Sequence, residues 1–575
     1  MGESGKSRER FGWLAERLAK AAARRARPAS GFVSQPEPRS IGIYARGKQI
    51  MTGNILLAGT LAEAPDQSLW DIPAADPGFQ AEAQGFAWLD DLAALDNSAA
   101  RKLAQTWTWD WIARFGSGTG PGWSPDLIGR RIIRWVHHAT FLLSGRDQTQ
   151  TTTFYRALAA QSVYLSRRWK AAAPGLPRFE ALTGLVYSGL SLTGSGALVA
   201  PASAALAQAC KAEIDDEGGI ISRNPDELLE ILTLLTWAAS AMSEATRPVP
   251  NELSSAIARI APGLRTLRHA DGSLTRFHGG GKGAEGRLDQ ALALAGSRRG
   301  QSTGVAMGYA RLSGGRTTVI IDAGPPPGGR ATITAHASTT GFELTSGRRP
   351  LIVSCGSGKG FGPEWQLAAR ATQSHSALSM DGMSSSRFGE RGATLERRAR
   401  ILDMRITPGT EGTDIFLSHD GWSISHGLTT SRSLTLSHDG RRLSGVDALT
   451  AVSAEARHRF QDLMTATAMM GAAFSIRFHL HPDVDATLDM AGSAVSLVLR
   501  SGEIWVFRTT TAIDLAVQPS VYLEKGRLNP RPASQIVLRG LARGFENRIG
   551  WTLAKAKDTP LAIRDLESDD PDGFG

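Results

Sequence analysis

The spacing of apolar residues changes period near residue 300, and this change constrains the fold more than any other feature. Before it, segments such as DLIGRRIIRWVHHATFLL and DELLEILTLLTWAASAM place apolar residues three or four positions apart, as in amphipathic helices. From about Gly304 onward, runs such as TTVIIDAG and VSLVLRSGEIWVF are short, alternate in polarity and end at Gly or Asp-Gly turns. The sequence therefore predicts an α+β multidomain chain, with helix hairpins first and an antiparallel β-sandwich second.

The length of 575 residues is too great for one hydrophobic core and predicts several domains. The Gly-rich segment 267–299, which contains HGGGKGAEG, is typical of a linker between the two halves. We accordingly predict a basic N-terminal extension over 1–40, a helical domain over 41–300, a β-sandwich domain over 301–560 and an acidic tail over 561–575.

Composition excludes several classes of protein. With 42% hydrophobic and 21% charged residues, the chain is not generally disordered, collagen-like or a coiled coil. The net charge of +9 is compatible with a polyanionic ligand but does not identify one, and we predict no nucleic-acid partner. The two cysteines, Cys210 and Cys355, are too few for a disulfide framework.

The basic N-terminus lacks the apolar stretch and cleavage site of a signal peptide, so the sequence alone predicts a cytoplasmic protein. Phe11, Leu14 and Leu18 share one face of a basic helix, which predicts either peripheral contact with an anionic membrane or a docked terminal helix. The uncharged stretch 181–210 is long enough to span a membrane. Its Gly, Ser, Thr and Pro content instead predicts two short buried helices joined by a turn, and no transmembrane segment.

Several motifs resemble the heparinase II/III-like family of polysaccharide lyases. The stretch TAHASTTGFELTSGRRPLIVSCGSG from Thr334, followed by WQLAARATQSHSALSMDG, is similar to the signature of the C-terminal domain of that family. RFHLHPDV and SQIVLRG look like later strands, while GWSPDLIGRRIIRW, DEGGIISRNPDELLE and HADGSLTRFHGGG are similar to its helical segments. The resemblance covers most of residues 107–553. It implies an incomplete α/α toroid followed by an antiparallel β-sandwich, in a protein of the periplasm or cell envelope.

Lyases of this family remove the C5 proton of a uronic acid and expel the 4-O-linked sugar. The uronate carboxylate must be neutralised, and a base and acid must reach C5 and the leaving oxygen. The resemblance implies Asn224 as the neutralising group, unless it only caps a helix. It implies His278, or else Tyr309, as base and acid, the alternatives being a loop histidine and a strand aromatic. Arg223 is predicted to contact a sulfate or carboxylate of the substrate, or else to be a solvated charge.

The resemblance also implies a structural zinc site on the sandwich, although no cofactor is predicted to be required. The chain keeps His336 and His375 at the family's ligand positions, but Ser354 replaces an aspartate and Cys355 follows it. His336, Cys355 and His375 are therefore the predicted Zn²⁺ ligands. His336, also a candidate catalytic residue, is expected to shape the floor of the cleft together with His375. The alternative is that the two histidines bond to backbone or to each other, with Cys355 as a small buried apolar residue.

Aromatic and basic side chains of the helical half predict a sugar-binding groove. Rings stack on the apolar faces of pyranoses, while arginines hold anionic groups. The candidates are Trp123, Arg130, Arg131 and Trp135, and the alternative is core packing between helix hairpins.

Together these features predict a carbon–oxygen lyase that cleaves an acidic, uronate-containing polysaccharide by β-elimination in the cleft between toroid and sandwich. The family's pattern is interrupted at Thr334, Ser338 and Ser354, which favours as an alternative a catalytically degenerate glycan-binding or envelope polysaccharide assembly protein. A glycoside hydrolase on an α/α toroid is a further alternative, and it would need two convergent carboxylates. The sequence predicts neither the specific polysaccharide nor the oligomeric state.

Overall fold

The computed structural model describes residues 3–65, 67–73, 76–281, 283, 286–296, 304–389 and 392–557, with side chains from residue 12. The chain forms two compact units. The helical unit comprises Met1–Asp216, Glu230–Ala261 and Asp289–Ser297, and the sandwich unit comprises Glu217–Leu229, Pro262–Leu288 and Arg298–Gly575. Two segments that precede residue 300 thus belong to the sandwich unit. The predicted acidic tail over 561–575 lies outside the described residues.

The first half of the chain is built from helices and one short hairpin. The hairpin pairs β1 (Asn54–Leu57) with β2 (Thr60–Glu63). The helices are α1 Glu3–Arg24, α2 Tyr44–Met51, α3 Pro77–Gln84, α4 Ala87–Ala93, α5 Ser98–Phe115, α6 Pro125–His137, α7 Ala139–Leu143, α8 Gln148–Arg168, α9 Leu176–Ser191, α10 Val199–Glu213, α11 Pro225–Glu244, α12 Asn251–Thr266 and α13 Arg287–Leu294.

Local sequence signals explain where several of these helices begin. Asp147 and Gln150 form a capping box at the start of α8. The side chain of each residue accepts a hydrogen bond from the backbone N–H of the other. Prolines stand in the first turn of α6 and α9, where a missing N–H is tolerated. The uncharged stretch 181–210 forms most of α9 and α10 with a turn between them, as predicted. No helix in the described part of the chain is long and apolar enough to cross a membrane.

The core of the helical unit is strongly aromatic. Trp111 and Trp135 meet edge to face with ring centroids 5.6 Å apart, and Phe86 packs on both. Helices α6 and α9 approach closely at Gly129 and Gly184, where a Cβ on Gly184 would stand 2.4 Å from the Gly129 Cα. The periodic apolar residues of the first half therefore pack helix against helix.

The second half of the chain is built mainly from strands. The strands are β3 Val305–Ala306, β4 Tyr309–Gly314, β5 Thr317–Asp322, β6 Phe342–Ser346, β7 Arg349–Val353, β8 Leu378–Met380, β9 Arg387–Phe388, β10 Leu395–Arg397, β11 Ile401–Pro408, β12 Gly412–Trp422, β13 Leu428–Ser437, β14 Arg442–Thr450, β15 Ala472–Leu480, β16 Val484–Asp489, β17 Ala494–Leu499, β18 Ile504–Thr509, β19 Asp514–Tyr522, β20 Arg531–Ala542 and β21 Glu546–Lys555. Helices α14 Pro363–Ala369, α15 Ser423–His426 and α16 Ala454–Ala466 join strands. The strands form two large antiparallel sheets, one in the order β11-β12-β13-β14-β21-β18-β17-β16 and the other in the order β19-β20-β15-β7-β6-β5-β4-β3, with β8 also paired to β15. β9 and β10 pair separately as a two-stranded sheet.

Aromatic residues from both sheets fill the space between them. Trp551 of one sheet stacks on Phe342 of the other with centroids 6.0 Å apart, and it meets Phe478 at 4.8 Å. A Cβ on Gly445 would stand 2.1 Å from the Trp551 ring, so glycine makes room for the indole. Such interleaving of inner faces is typical of a β-sandwich. The predicted α+β order, helices first and antiparallel sandwich second, is confirmed.

Candidate functional site

Several candidate residues of the sandwich unit lie around the carboxylate of Asp322, at the end of β5. This side chain is fully buried. Its Oδ1 accepts a hydrogen bond of 2.6 Å from Arg223, and its Oδ2 accepts one of 2.6 Å from Ser338. Burial alone would raise the pKa of Asp322, but the charge of Arg223, with His278 and Ser338, holds it well below its ordinary value. The carboxylate is therefore ionised and fully engaged inside the sandwich unit.

Arg223 uses its guanidinium for internal contacts. Besides the bond to Asp322, it donates to the carbonyls of Met307, Gly308 and Pro325 over 2.6–2.9 Å. Its Cζ lies 4.6 Å from the centroid of the Tyr309 ring. The predicted contact of Arg223 with a substrate anion would have to compete with these bonds.

Gly308 and Gly324 allow this arrangement. A Cβ on either residue would stand 2.9 Å from the guanidinium of Arg223, closer than side chains tolerate. Gly308 also has φ +75°, a conformation that favours glycine. These two glycines therefore leave the space that the Arg223 guanidinium occupies.

Tyr309, the second candidate base, lies at the start of β4 and is fully buried. Its hydroxyl donates a hydrogen bond of 2.6 Å to the carbonyl of Arg223. Its ring stacks on Phe277 with centroids 5.6 Å apart. Burial raises the pKa of Tyr309 well above 10, so the phenol stays protonated.

His278, the first candidate base, is also fully buried. Its Nδ1 accepts a hydrogen bond of 3.1 Å from the backbone N–H of His336, which places the proton of the neutral ring on Nε2. That Nε2 lies 3.4 Å from Oδ2 of Asp322, without the alignment of a hydrogen bond. Burial lowers the pKa of His278 below 6.5. We call Arg223, His278, Tyr309, Asp322 and Ser338 the Asp322 network.

His336 and His375 form a chain of polar contacts beside this network. His336 Nδ1 lies 3.2 Å from His375 Nε2, and His375 Nδ1 lies 3.1 Å from Ser354 Oγ. Burial lowers the pKa of His375 to about 3 and that of His336 well below its ordinary value. The two histidines thus contact each other as neutral rings.

Cys355 lies apart from this histidine pair. Its Sγ is 3.5 Å from Nδ1 of His479, and burial raises its pKa to about 11. Ser354 contacts His375 while Cys355 does not, because successive residues of an extended chain point to opposite sides. The described residues contain no group of three His, Cys, Asp or Glu side chains that could hold a metal ion. The three predicted zinc ligands therefore do not come together.

Asn224 is a partly exposed candidate. Its Oδ1 accepts hydrogen bonds from the N–H groups of Asp226 and Glu227 at 3.0 and 3.3 Å, so it caps α11. The side chain also lies against the loop that follows His278, since a Cβ on Gly280 would stand 3.0 Å from Asn224 Oδ1. Its capping role is observed, and its role toward a uronate stays a prediction.

Backbone strain is concentrated around Asp322. Arg223, His278, Met307 and Thr340 all have φ between 50° and 68°, which is uncommon for residues other than glycine. Thr340 donates its N–H to the Asp322 carbonyl over 2.9 Å. Arg223 and His278 belong to the network, and the Met307 carbonyl accepts a hydrogen bond from Arg223. Such conformations cost about 1–3 kcal/mol each and persist only where the surroundings enforce them.

In the helical unit, three of the four predicted sugar-binding residues lie in the core. Trp123, Arg131 and Trp135 are at most 4% exposed. Arg131 donates to the Gln161 side chain and to two backbone carbonyls, and its guanidinium lies 4.0 Å from the centroid of the Trp111 ring. Arg130 is partly exposed and is paired with Glu180 at 2.7 Å. The core-packing alternative thus describes these tryptophans and Arg131.

Sequence comparisons place this architecture among known proteins. A model described as "Heparinase II/III-like, C-terminal" matches residues 296–552. The FtsZ-localized protein C of Caulobacter vibrioides is 30% identical over 547 residues, which cover 92% of this chain and 91% of that protein. The similarity therefore extends through both halves.

Solved structures show the same fold at low sequence identity. A heparinase III matches with a TM-score of 0.67 and 12% identity, over 96% of this chain and 91% of that one. A mutant of the heparan sulfate lyase HepC from Pedobacter heparinus matches with a TM-score of 0.58 and 13% identity, over 95% of this chain and 88% of that one. The chain belongs to the heparinase II/III-like family and has its polysaccharide-lyase fold, a helical toroid followed by an antiparallel β-sandwich.

Proposed function

We propose that this chain acts at the site of cell division as a lyase-fold protein that does not catalyse β-elimination. The observation that carries the proposal is the closed Asp322 network. Arg223 is bonded to Asp322, the Tyr309 hydroxyl to the backbone carbonyl of Arg223, and Nδ1 of His278 to the backbone N–H of His336. The family's fold is retained while its chemistry is not.

An elimination base must come within hydrogen-bonding distance of the substrate, at C5. His278 and Tyr309 are fully buried, and His336 is 3% exposed. Their acid–base properties are also unsuited, because a general base works best with a pKa near the working pH. Burial takes the pKa of Tyr309 well above 10 and that of His336 well below 6.5. These groups support a structural role for the network.

The full-length similarity to an FtsZ-localized protein supports the second part of the proposal. It covers 92% of this chain and so includes both the helical and the sandwich unit. In this function the chain associates with the division apparatus and does not cleave an acidic polysaccharide. The compartment stays a prediction: envelope or periplasm from the family, cytoplasm from the N-terminal sequence.

Two measurements test the two parts separately. Purified protein is incubated with uronate polysaccharides and bacterial exopolysaccharides, with and without Zn²⁺, and ultraviolet absorbance of unsaturated uronate is followed. We expect none, while a heparinase III control produces it. A fluorescent fusion is imaged in dividing cells with labelled FtsZ, and we expect coincident bands. New absorbance would refute the first part, and a diffuse fusion would refute the second.

A β-elimination lyase is the second candidate, and one observation favours it. Asn224 is partly exposed against the loop that follows His278. Its neighbours Arg223 and His278 have strained backbones, and such residues gather at functional sites. In this alternative Asn224 neutralises the uronate, and His278 or Tyr309 becomes the base once the network opens. Absorbance that disappears in both Asn224→Ala and His278→Ala would establish it.

The glycoside hydrolase alternative gains no support from the buried carboxylates of Asp322 and Glu343. Asp322 is bonded as described above. Glu343 is equally buried and accepts hydrogen bonds from the N–H groups of Arg276 and Ser354, with His269 Nε2 at 3.2 Å. Neither carboxylate is exposed to a sugar.

A further inference from the structure

The outer edge of β11 carries no paired strand in the part of the chain that the structure describes. β11 is the terminal strand of the eight-stranded sheet and pairs on one side with β12. An unpaired edge presents backbone N–H and C=O groups that can bind another extended segment. The edge of β11 therefore offers an interaction surface.

The direction of the backbone groups follows from the neighbouring turns. Gly409 N–H bonds to the Gly412 carbonyl at 2.8 Å, and His438 N–H bonds to the Glu411 carbonyl at 3.1 Å on the other side of β12. Bonded and non-bonded pairs alternate along an antiparallel ladder. The N–H and C=O groups of Met404 and Ile406 consequently point away from β12, toward the open edge.

The side chains of β11 divide between two faces. Met404 and Ile406 lie opposite Leu417 and Ile415, which belong to the core, so they extend the apolar side of the sheet. Met404 is 38% exposed. Asp403 and Arg405 lie on the other face, 2.9 Å apart.

We propose that β11 binds β11 of a second copy of this chain, antiparallel and with a two-fold axis at Met404. In this register Asp403 of each copy lies opposite Arg405 of the other, so two ion pairs form across the interface. Ile406 of each copy, which is partly buried, comes near the bulged residue Leu402 of the other, which is 52% exposed, so the pairing covers further apolar surface. A symmetric dimer of this kind uses the same patch on both subunits.

The charges select this register over its neighbours. In a symmetric antiparallel pair, the central residue lies opposite the same residue of the second copy. Centring the pairing on Asp403 or Arg405 would therefore set like charges opposite each other. Pro408, which has no N–H, and the bulge between Ile401 and Asp403 limit the regular edge on either side. The regular edge therefore runs over 403–407, and within it the charges of Asp403 and Arg405 place the two-fold axis at Met404.

Charge reversal tests the pairing in the full-length protein by sedimentation velocity. We expect a concentration-dependent dimer for the unaltered chain. Asp403→Arg and Arg405→Asp should each raise the dimer dissociation constant about tenfold or more, since each sets like charges opposite twice. Mixing these two variants restores opposite charges at both pairs, and so does combining both changes in one chain. Dimers should reappear in both cases.

Met404→Pro provides a second, independent variant. It removes an N–H that points to the open edge, so it blocks pairing while leaving the β11–β12 ladder bonded. Circular dichroism confirms that each variant is folded. A chain that stays monomeric at every concentration would overturn the proposal. A dimer unaffected by both charge reversal and Met404→Pro would equally overturn it.

Discussion

Arg223 and Asp322 form a buried ion pair, with 2.6 Å between Nη2 and Oδ1. The two residues lie 99 positions apart in sequence, and Arg223 immediately precedes the cap of α11 while Asp322 ends β5. The pair therefore ties the start of a helix to the sandwich within one compact unit. Removing either partner therefore leaves the other as a buried charge without its counter-ion.

Asp322→Asn tests the energetic weight of this pair. Breaking a buried ion pair from one side costs about 3–5 kcal/mol, and we expect a loss of that size in the free energy of unfolding of the sandwich unit. Urea unfolding followed by circular dichroism measures it. The matched control is Glu455→Gln, which breaks an exposed helical pair with Arg459 and should cost about 0.5 kcal/mol or less. Equal effects in the two variants would show that the buried pair has no special weight.

The buried histidines predict a loss of stability in mild acid. An unfolded histidine binds a proton near pH 6.5, whereas burial lowers the pKa of folded His375 to about 3. The unfolded state thus takes up more protons in this window, and stability falls as the pH drops from about 6.5. The slope is at most about 1.4 kcal/mol per pH unit for each such histidine.

Unfolding at several pH values between 7 and 5 measures this slope. His375→Gln should reduce it, while the exposed control His458→Gln should leave it unchanged. If His375→Gln unfolds with the slope of the unaltered chain, His375 is not the residue that confers acid sensitivity.

Tyr309→Phe removes the hydroxyl that bonds to the buried carbonyl of Arg223. An unsatisfied buried acceptor costs about 1–3 kcal/mol, and we expect a destabilisation in that range. Tyr44→Phe, at a 55% exposed tyrosine, is the control and should be nearly neutral. If Tyr309→Phe instead abolished a measurable lyase activity without changing stability, a catalytic role would replace the structural one.

Arg131→Lys tests the core role of this arginine in the helical unit. Lysine cannot reproduce the fork that reaches Gln161 and the carbonyls of Gln84 and Gly122. We expect a loss of about 3 kcal/mol, since hydrogen bonds from charged groups are worth about 1.5–3 kcal/mol each. The exposed Arg156→Lys is the control. Weaker binding to a sugar matrix with unchanged stability would instead support the predicted sugar groove.

Helix α1 predicts reversible contact with anionic membranes. Trp13, Leu14 and Leu18 are 57%, 47% and 66% exposed, and basic residues accompany them. We expect co-sedimentation with vesicles that contain anionic lipid, weakened by salt and by Trp13→Ser combined with Leu18→Ser. Ala15→Ser is the control. Equal binding to neutral vesicles, or no binding at all, would contradict this prediction.

The fold could be predicted from the sequence because each half has its own apolar period. The assignment of 217–229 and 262–288 to the sandwich unit could not, since a periodicity reports local structure and not which neighbours a segment packs against. The sequence predicts two roles for Asn224, and the capping role is observed. The local pattern Asn-Pro-Asp-Glu at the start of α11 indicates that role.

The site was predicted only in part. The motifs indicate Arg223, His278 and Tyr309, and the structure places all three around Asp322, which the motifs do not indicate. The available signal was an acidic residue closing the apolar run TTVIID, because a charge in a fully buried strand requires a partner. Ser338, where this chain departs from the family pattern, is one such partner. Which charges meet is set by contacts distant in sequence, and local patterns do not report those.

Arg223 also makes the order of mutations matter over evolutionary time. Its guanidinium fills the space that side chains at Gly308 and Gly324 would need. A substitution at either glycine is therefore tolerated only after Arg223 has become small, and loss of Arg223 first leaves Asp322 charged and unpaired. Loss of Asp322 first has the same cost, because it leaves Arg223 buried without its counter-ion. The four sites are thus expected to be epistatic, and a lineage that acquired this arrangement could leave it only through a less stable intermediate or by changing several positions together.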